Sequence, residues 1–220
     1  MEDKIPFPCA LLMNDPHASK DNLAEFLKNW NEALEICKKN GIQYLVVGGD
    51  MWLSRSAQTL SVLMTVRKAI LLATKAYGLY VIIAEGNHCK VDQEAIEGYS
   101  HVFSDYESVE IVDTHTEIDL TDGVSLWVMS YFPENGSFIK RLQDLQENCC
   151  INRAKKNILY IHEGIRGGLA TPSDDELPAN LFSAFDATLV GHYHNRKQIP
   201  GTNICLLYTS PSPRDVEESR

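Results

Sequence analysis

The chain has 220 residues, of which 44% are apolar and 23% charged, proportions that exclude a disordered or collagen-like polypeptide. Twenty basic against 30 acidic side chains leave a net charge of −10, which argues against broad electrostatic attraction to nucleic acid or anionic lipid. No apolar run approaches the ~20 residues that span a bilayer, and the acidic, proline-broken start is no secretory signal. With no export signal, and no CxxC pair or evident disulfide framework among the six cysteines, a cytoplasmic protein with reduced thiols is expected, away from any membrane.

In chain order, Cys9–Met13 is a short apolar strand. A helix is predicted from Asn22 to Asn40, where Leu23, Phe26, Leu27, Trp30, Leu34 and Cys37 repeat at intervals of three and four; Asp21 suits its N-cap and Gly41 its stop. The strand Ile42–Val47 follows and ends on Gly48-Gly49-Asp50. A second helix, about Ala57 to Tyr77, carries Leu60, Leu63, Met64, Ile70 and Leu71. The strand Leu79–Ala84 then ends on Glu85-Gly86-Asn87-His88. The middle is less regular: strands over Val109–Val112 and Ser125–Met129, the second after an Asp122-Gly123 turn, and a helix over Phe138–Glu147. Asn157–Ile161 ends on His162-Glu163, a Gly- and Pro-rich acidic loop spans 167–178, and Ala187–Val190 ends on Gly191-His192-Tyr193-His194. Strand alternating with helix is an α/β pattern with buried, largely parallel sheets. One domain is expected over 1–204. Residues 205–220 read as an unstructured tail, and Ser210-Pro211-Ser212-Pro213-Arg214 resembles translated sequencing-adapter read-through.

Five apolar strands thus end in polar clusters that hold five of the seven histidines. Sites in open α/β sheets form at the carboxyl ends of strands, so clusters scattered in sequence can converge. Carboxylate, imidazole and amide oxygen together suit manganese, iron or zinc, and the scarcity of cysteine speaks against a structural zinc site. Two cations ~3.5–4 Å apart repel each other and need a bridging carboxylate. Asp50, after two glycines that allow close approach, suits that bridge. Asp15 and His17, two apart, can share one ion, and His192 and His194 repeat the geometry. Taken alone, each motif has a bland reading as a turn or a surface accident; five in one register, each at a strand end, favour a metal site.

Asp-Pro-His, Gly-Gly-Asp, Gly-Asn-His, His162 and Gly-His-Tyr-His, in this order and at these separations, resemble the calcineurin-like metallophosphoesterase superfamily over about residues 9–204. Within it the chain is most similar to bacterial and phage SbcD-type DNA nuclease subunits. The resemblance implies a four-layer αββα sandwich with the site at the strand C-terminal ends. It implies that Asp15, His17 and His194 hold one divalent metal ion and Asn87, His162 and His192 a second, with Asp50 between them. Manganese is the expected metal, with iron or zinc as alternatives. His88 would be the catalytic histidine, set against the leaving oxygen while a metal-bound hydroxide attacks phosphorus. Such cations would also turn the site positive inside an acidic protein.

The expected function is a phosphodiesterase, with DNA as a substrate and an SbcC-type ATPase as a partner suggested by the same resemblance. The alternatives are a small-molecule or protein phosphatase and a catalytically degenerate protein-binding scaffold. Two positions depart from the family pattern: Leu53 and Cys89 stand where acidic residues are usual. Trp52, Arg55 and Arg166 are candidate substrate contacts. Arg196 and Lys197 lie close to the last motif, and Glu163 is either a support for His162 or exposed.

Overall fold

The computed structural model describes residues 8–121, 123–169, 175–194 and 196–207. The strands are β1 (Ala10–Met13), β2 (Tyr44–Gly48), β3 (Tyr80–Ala84), β4 (Val109–Val112), β5 (His115–Thr121), β6 (Val124–Met129), β7 (Lys156–Ile161), β8 (Ala187–Val190), β9 (Lys197–Gln198) and β10 (Ile204–Leu206). The helices are α1 (Leu23–Asn40), α2 (Leu60–Leu71) and α3 (Phe138–Asn148). One sheet, in the order β1-β2-β3-β4, is parallel throughout. The other runs β5-β6-β7-β8-β10-β9 and is parallel from β6 to β10 with antiparallel edges.

Alternation of side chains along a strand gives each sheet two apolar faces. In β2 and β3, Leu45, Val47, Val81 and Ile83 pack against α1 and α2, while Val46, Ile82 and Ala84 face the second sheet. In β6 and β7, Leu126, Val128 and Tyr160 meet that face, and Trp127, Met129, Leu159 and Ile161 turn to α3 and the 3₁₀ turn Ala179–Phe182. The four layers are therefore helices, sheet, sheet and helix, the αββα sandwich expected. Truncating a side chain such as Leu45, with no exposed surface, would cost about 2–5 kcal/mol.

The helices differ in detail from their sequence pattern. Asn22, not Asp21, precedes α1, and its amide holds the loop before the helix by accepting from Ser19 N and donating to the His17 carbonyl. Helix α2 begins at Leu60, because the hydroxyl of Thr59 caps it by accepting from Val62 N. Its buried face is Val62, Val66, Ala69 and Ile70, with Leu60 and Met64 exposed. The indole of Trp30 donates to Ala69 O and Thr74 Oγ1 to Ile70 O; these carbonyls are shared just where α2 widens into the π-helical turn Leu72–Ala76. β5, β9 and β10 were not evident in the sequence. β10 carries the second sheet past residue 204, and Leu207 N still donates to Val190 O, so the fold exceeds the boundary expected there. Asp122, residues 170–174 of the 167–178 loop, and 208–220 lie outside the described residues. Among those described, no disulfide forms and no helix is long and apolar enough to cross a membrane.

Candidate metal centre

Every cluster sits just beyond the carboxyl end of a parallel strand: Asp15 and His17 after β1, Asp50 after β2, Asn87 and His88 after β3, His162 after β7, His192 and His194 after β8. The two sheets bring them to one edge of the sandwich. Turning the chain sharply there costs backbone strain, since Asp15, His17, Asp50 and His192 all have positive φ, between 46° and 75°. Glycine makes the approach possible. Gly49 has φ 113°, and a Cβ on it would fall 2.3 Å from His162 Nδ1; a Cβ on Gly86 would fall 2.2 Å from Asp50 Oδ1.

Asp50 lies at the centre. Its Oδ2 is 3.2 Å from His17 Nε2 and 3.3 Å from His162 Nε2, while Oδ1 accepts the backbone N–H of His88 at 2.7 Å. His162 donates Nδ1–H to the Gly48 carbonyl (3.2 Å), which orients the ring and turns Nε2 toward Asp50, Asp15 and Asn87. The donor atoms of Asp15, His17 and His194 fall within 4.8 Å of one another, as do those of Asp15, Asp50 and His162. His192 packs edge-on against His162, with ring centroids 5.4 Å apart.

The electrostatics follow from burial. Burial pushes the Asp15 carboxyl up, and the nearby Asp50 charge adds to it despite His162. Burial would also raise Asp50, but the charge and hydrogen bonds of His162 and His17 hold it well below the usual carboxylate range. Burial alone would lower His162; the Asp50 and Asp15 carboxylates carry it to about 9. His192, buried and beside His162, is pushed down to about 3.

Two observations test whether this donor set fits divalent cations. Both carboxylate oxygens of Asp15 are buried and accept no hydrogen bond among the described residues. Asn87 turns its amide oxygen toward His162 Nε2 at 3.2 Å and the Asp50 Oδ2 acceptor at 3.0 Å, and its nitrogen toward the Arg55 guanidinium. Turning the amide over would satisfy both sides with hydrogen bonds, and a cation among the acceptors would satisfy the first side as it stands. The bare Asp15 oxygens beside converging carboxylate, amide and imidazole donors are what a cation site requires, and the residues fit.

The candidate substrate contacts separate. Trp52 has no exposed surface: it stacks on Phe103 and donates its indole N–H to Ser100 Oγ at 3.0 Å, so its expected role in touching substrate is replaced by a place in the core. Arg55 is exposed at the mouth of the site beside Asn87. Arg166 is exposed but its Nε donates to Glu176 O, and Lys197 Nζ donates to Gly167 O; both hold the neighbouring loop. Glu163 is fully buried and accepts from Phe132 N, supporting the segment after β6 and not the imidazole of His162. His115 lies away from the clusters, its Nε2 3.1 Å from Cys149 Sγ.

Three participants were missed. Leu53 meets His88 Nδ1 through its main-chain oxygen at 2.7 Å, a contact that no side-chain pattern announces. Tyr160 crosses from β7 to bond the Asn14 side chain, bracing the loop that carries Asp15. Glu85 is buried directly before the Gly-Asn-His cluster and binds Ser100, and its acidic character at a strand end was the available signal.

A family model described as calcineurin-like phosphoesterase matches residues 10–196. The fold is similar to that of a dimetal phosphatase from Danio rerio, with a TM-score of 0.59 at 11% identity, over 91% of this chain and 87% of the other. A nuclease MPE from Pseudomonas putida aligns over 91% of this chain and 72% of its own, at 15% identity and a TM-score of 0.42. No curated protein matches the chain. The family match begins in β1 and runs past β8, taking in every strand end on which the donors sit. The chain belongs to the calcineurin-like phosphoesterases and is a hydrolase acting on ester bonds.

Proposed function

We propose that this enzyme is a dinuclear metal-dependent phosphodiesterase. The observation that carries the reading is Asp50 Oδ2, in contact with His17 on one side and His162 on the other. In this assignment Asp15, His17 and His194 would hold one divalent cation and Asn87, His162 and His192 the other, with Asp50 a shared ligand. Manganese suits the mixed oxygen and imidazole donors, with iron and zinc as alternatives. When bound, such cations supply an acidified water and neutralise charge on the phosphoryl oxygens.

The chain's own groups do the rest. His88 bonds Leu53 O through Nδ1, which leaves Nε2 as the nitrogen that exchanges a proton with the leaving oxygen. The Asp50 carboxylate accepts the His88 backbone N–H, so the bridge and the proton carrier move as one unit. Arg55, exposed beside Asn87, offers a guanidinium to a phosphate oxygen.

Arg55 also favours a second reading, a phosphomonoesterase, since an extra cation suits a dianion. A groove of about 270 Å³ leaves the site from Asp15 and His17 along α1, past Glu25 and Glu32. Those carboxylates would repel a polyanion, so a small diester is a better match for this groove than DNA held by an SbcD-type nuclease with an ATPase partner. The test is manganese-dependent hydrolysis of bis-p-nitrophenyl phosphate beside the monoester and a DNA duplex, with metal content measured on the same sample. Faster diester turnover at two metals per chain supports the reading. Preference for the monoester makes it a phosphatase, preference for DNA restores the nuclease, and bound metal without turnover leaves a binding scaffold.

A further inference from the structure

The residues nearest His88 in space and in chain, Leu53 and Cys89, bring no carboxylate to its ring. Cys89 is fully buried, with its Sγ 4.0 Å from Asp50 Oδ1 and its carbonyl accepting from Tyr99 N. His88 Nδ1 instead lies 2.7 Å from the main-chain oxygen of Leu53. A carbonyl oxygen can only accept, so this contact places the proton on Nδ1 and sets both the tautomer and the plane of the ring.

An orienting carbonyl is useful only if its own peptide is held, and here it is held on both sides. The Leu53 N–H donates to Ala18 O at 3.3 Å, within a short parallel bridge between Ala18 and Trp52. Two residues on, Arg55 O accepts the hydroxyl of Tyr99 at 3.0 Å. One residue before, the Trp52 indole N–H donates to Ser100 Oγ at 3.0 Å, and that hydroxyl donates to Glu85 Oε2 at 2.8 Å. The second Glu85 oxygen accepts Ser100 N at 2.8 Å. Trp52, Ser100 and Glu85 have no exposed surface. A buried carboxylate is costly unless its hydrogen bonds are made, and one that anchors a neutral chain of donors polarises each bond in turn. The proposed hydrolysis assigns this chain no direct part, yet it ends one residue from the carbonyl that holds His88.

We propose that the Leu53 carbonyl, fixed by the buried Trp52–Ser100–Glu85 chain, is the positioning partner of His88. This rests on the reading of His88 as the proton carrier. Trp52, Ser100 and Glu85 are positioning residues: they act through the peptide and need touch neither substrate nor metal.

The experiment compares Trp52→Phe and Ser100→Ala with wild type on the zinc-loaded protein. Long-range ¹H–¹⁵N spectra report the His88 tautomer, with His88→Gln used to assign its resonances. Kinetics and metal content are measured on the same samples. Wild type should show a single Nδ1–H tautomer at His88. Both variants should mix tautomers and lose about tenfold or more in kcat, as displaced catalytic groups do, with KM and metal content within about twofold of wild type. Trp30→Phe removes an equally buried indole bond, to Ala69 O at 3.0 Å, and should leave the His88 signal unchanged. An unchanged tautomer in both variants, or the same change in Trp30→Phe, overturns the proposal. If His88→Gln keeps full kcat, the proton-carrier reading falls, while the spectra still decide the positioning claim. If Trp52→Phe does not fold, Ser100→Ala decides alone.

Discussion

Replacing Asp15 by asparagine separates what the carboxylate does for the fold from what it does for metal. The Asp15 side chain is 1% exposed and its oxygens accept no hydrogen bond among the described residues; its compensation comes from nearby imidazoles, first His162 with Nε2 at 3.6 Å, then His17 and His194. A buried, poorly satisfied charge costs several kcal/mol, and allowing for His162 leaves a net penalty of about 2 kcal/mol. Asparagine keeps the shape, and it tolerates the φ of 49° found there. For a chain of this size each kcal/mol moves Tm by about 2–4 °C, so Asp15→Asn should melt about 4–8 °C above wild type in chelator. With metal at one hundred times Kd, wild type gains about 2.7 kcal/mol, whereas the variant should gain little. The two proteins should therefore exchange rank between EDTA and manganese in thermal melts followed by circular dichroism. A variant that melts below wild type in EDTA, with the same rise in manganese, would show that Asp15 is a structural carboxylate and refute the reasoning.

His88→Ala should retain its metal content and lose about 10²-fold or more in kcat; loss of metal as well would remove it from the proton-carrying role. Gly49→Ala should cost on the order of 3 kcal/mol in chemical denaturation, because its Cβ would lie 2.3 Å from His162 Nδ1 at a φ of 113°. Cys89→Asp should destabilise and bring no gain in turnover, since burial and the Glu85 and Asp50 charges already disfavour an anion there. Lys90 has no exposed surface, and burial lowers its pKa from 10.5 to about 8, partly offset by Glu85. The folded state therefore binds fewer protons than the unfolded chain between those values, and rising pH relieves the cost of burying the charge. The stability of wild type relative to Lys90→Met should improve by up to about 3 kcal/mol from pH 8 to 10.5, and a flat difference would contradict this.

The strands that build the interior were legible because burial on both faces makes them short apolar runs bounded by glycine and polar residues, as in Tyr44–Gly48 and Tyr80–Ala84. β5 was not: His115–Thr121 lies at a sheet edge, only Ile118 in it is buried, and its sequence reads as a polar loop. The Asp, Asn and His residues that cluster at the strand ends were legible because metal chemistry restricts residue types. The substrate side was not. Trp52 follows Asp50 in sequence, but alternation and a buried serine turn it inward, whereas Arg55 ends beside Asn87. The partner of His88 is a peptide oxygen, which every residue carries and no pattern marks.

The sandwich has its seam in the middle of the chain, where β4 passes to β5 across Asp113 and Thr114. Tyr160 reaches Met13 across 147 residues, and His162 reaches Gly48 across 114. Synthesis proceeds from the amino end, so the first sheet leaves the ribosome with Val46, Ile82 and Val112 uncovered until β6 and β7 have been made. Parallel pairing of this kind is slow, and the half-made layer is an apolar plate with a bare edge. The architecture that gathers side chains from both sheets to one site thus leaves an apolar face of the nascent chain open to water during the interval between them.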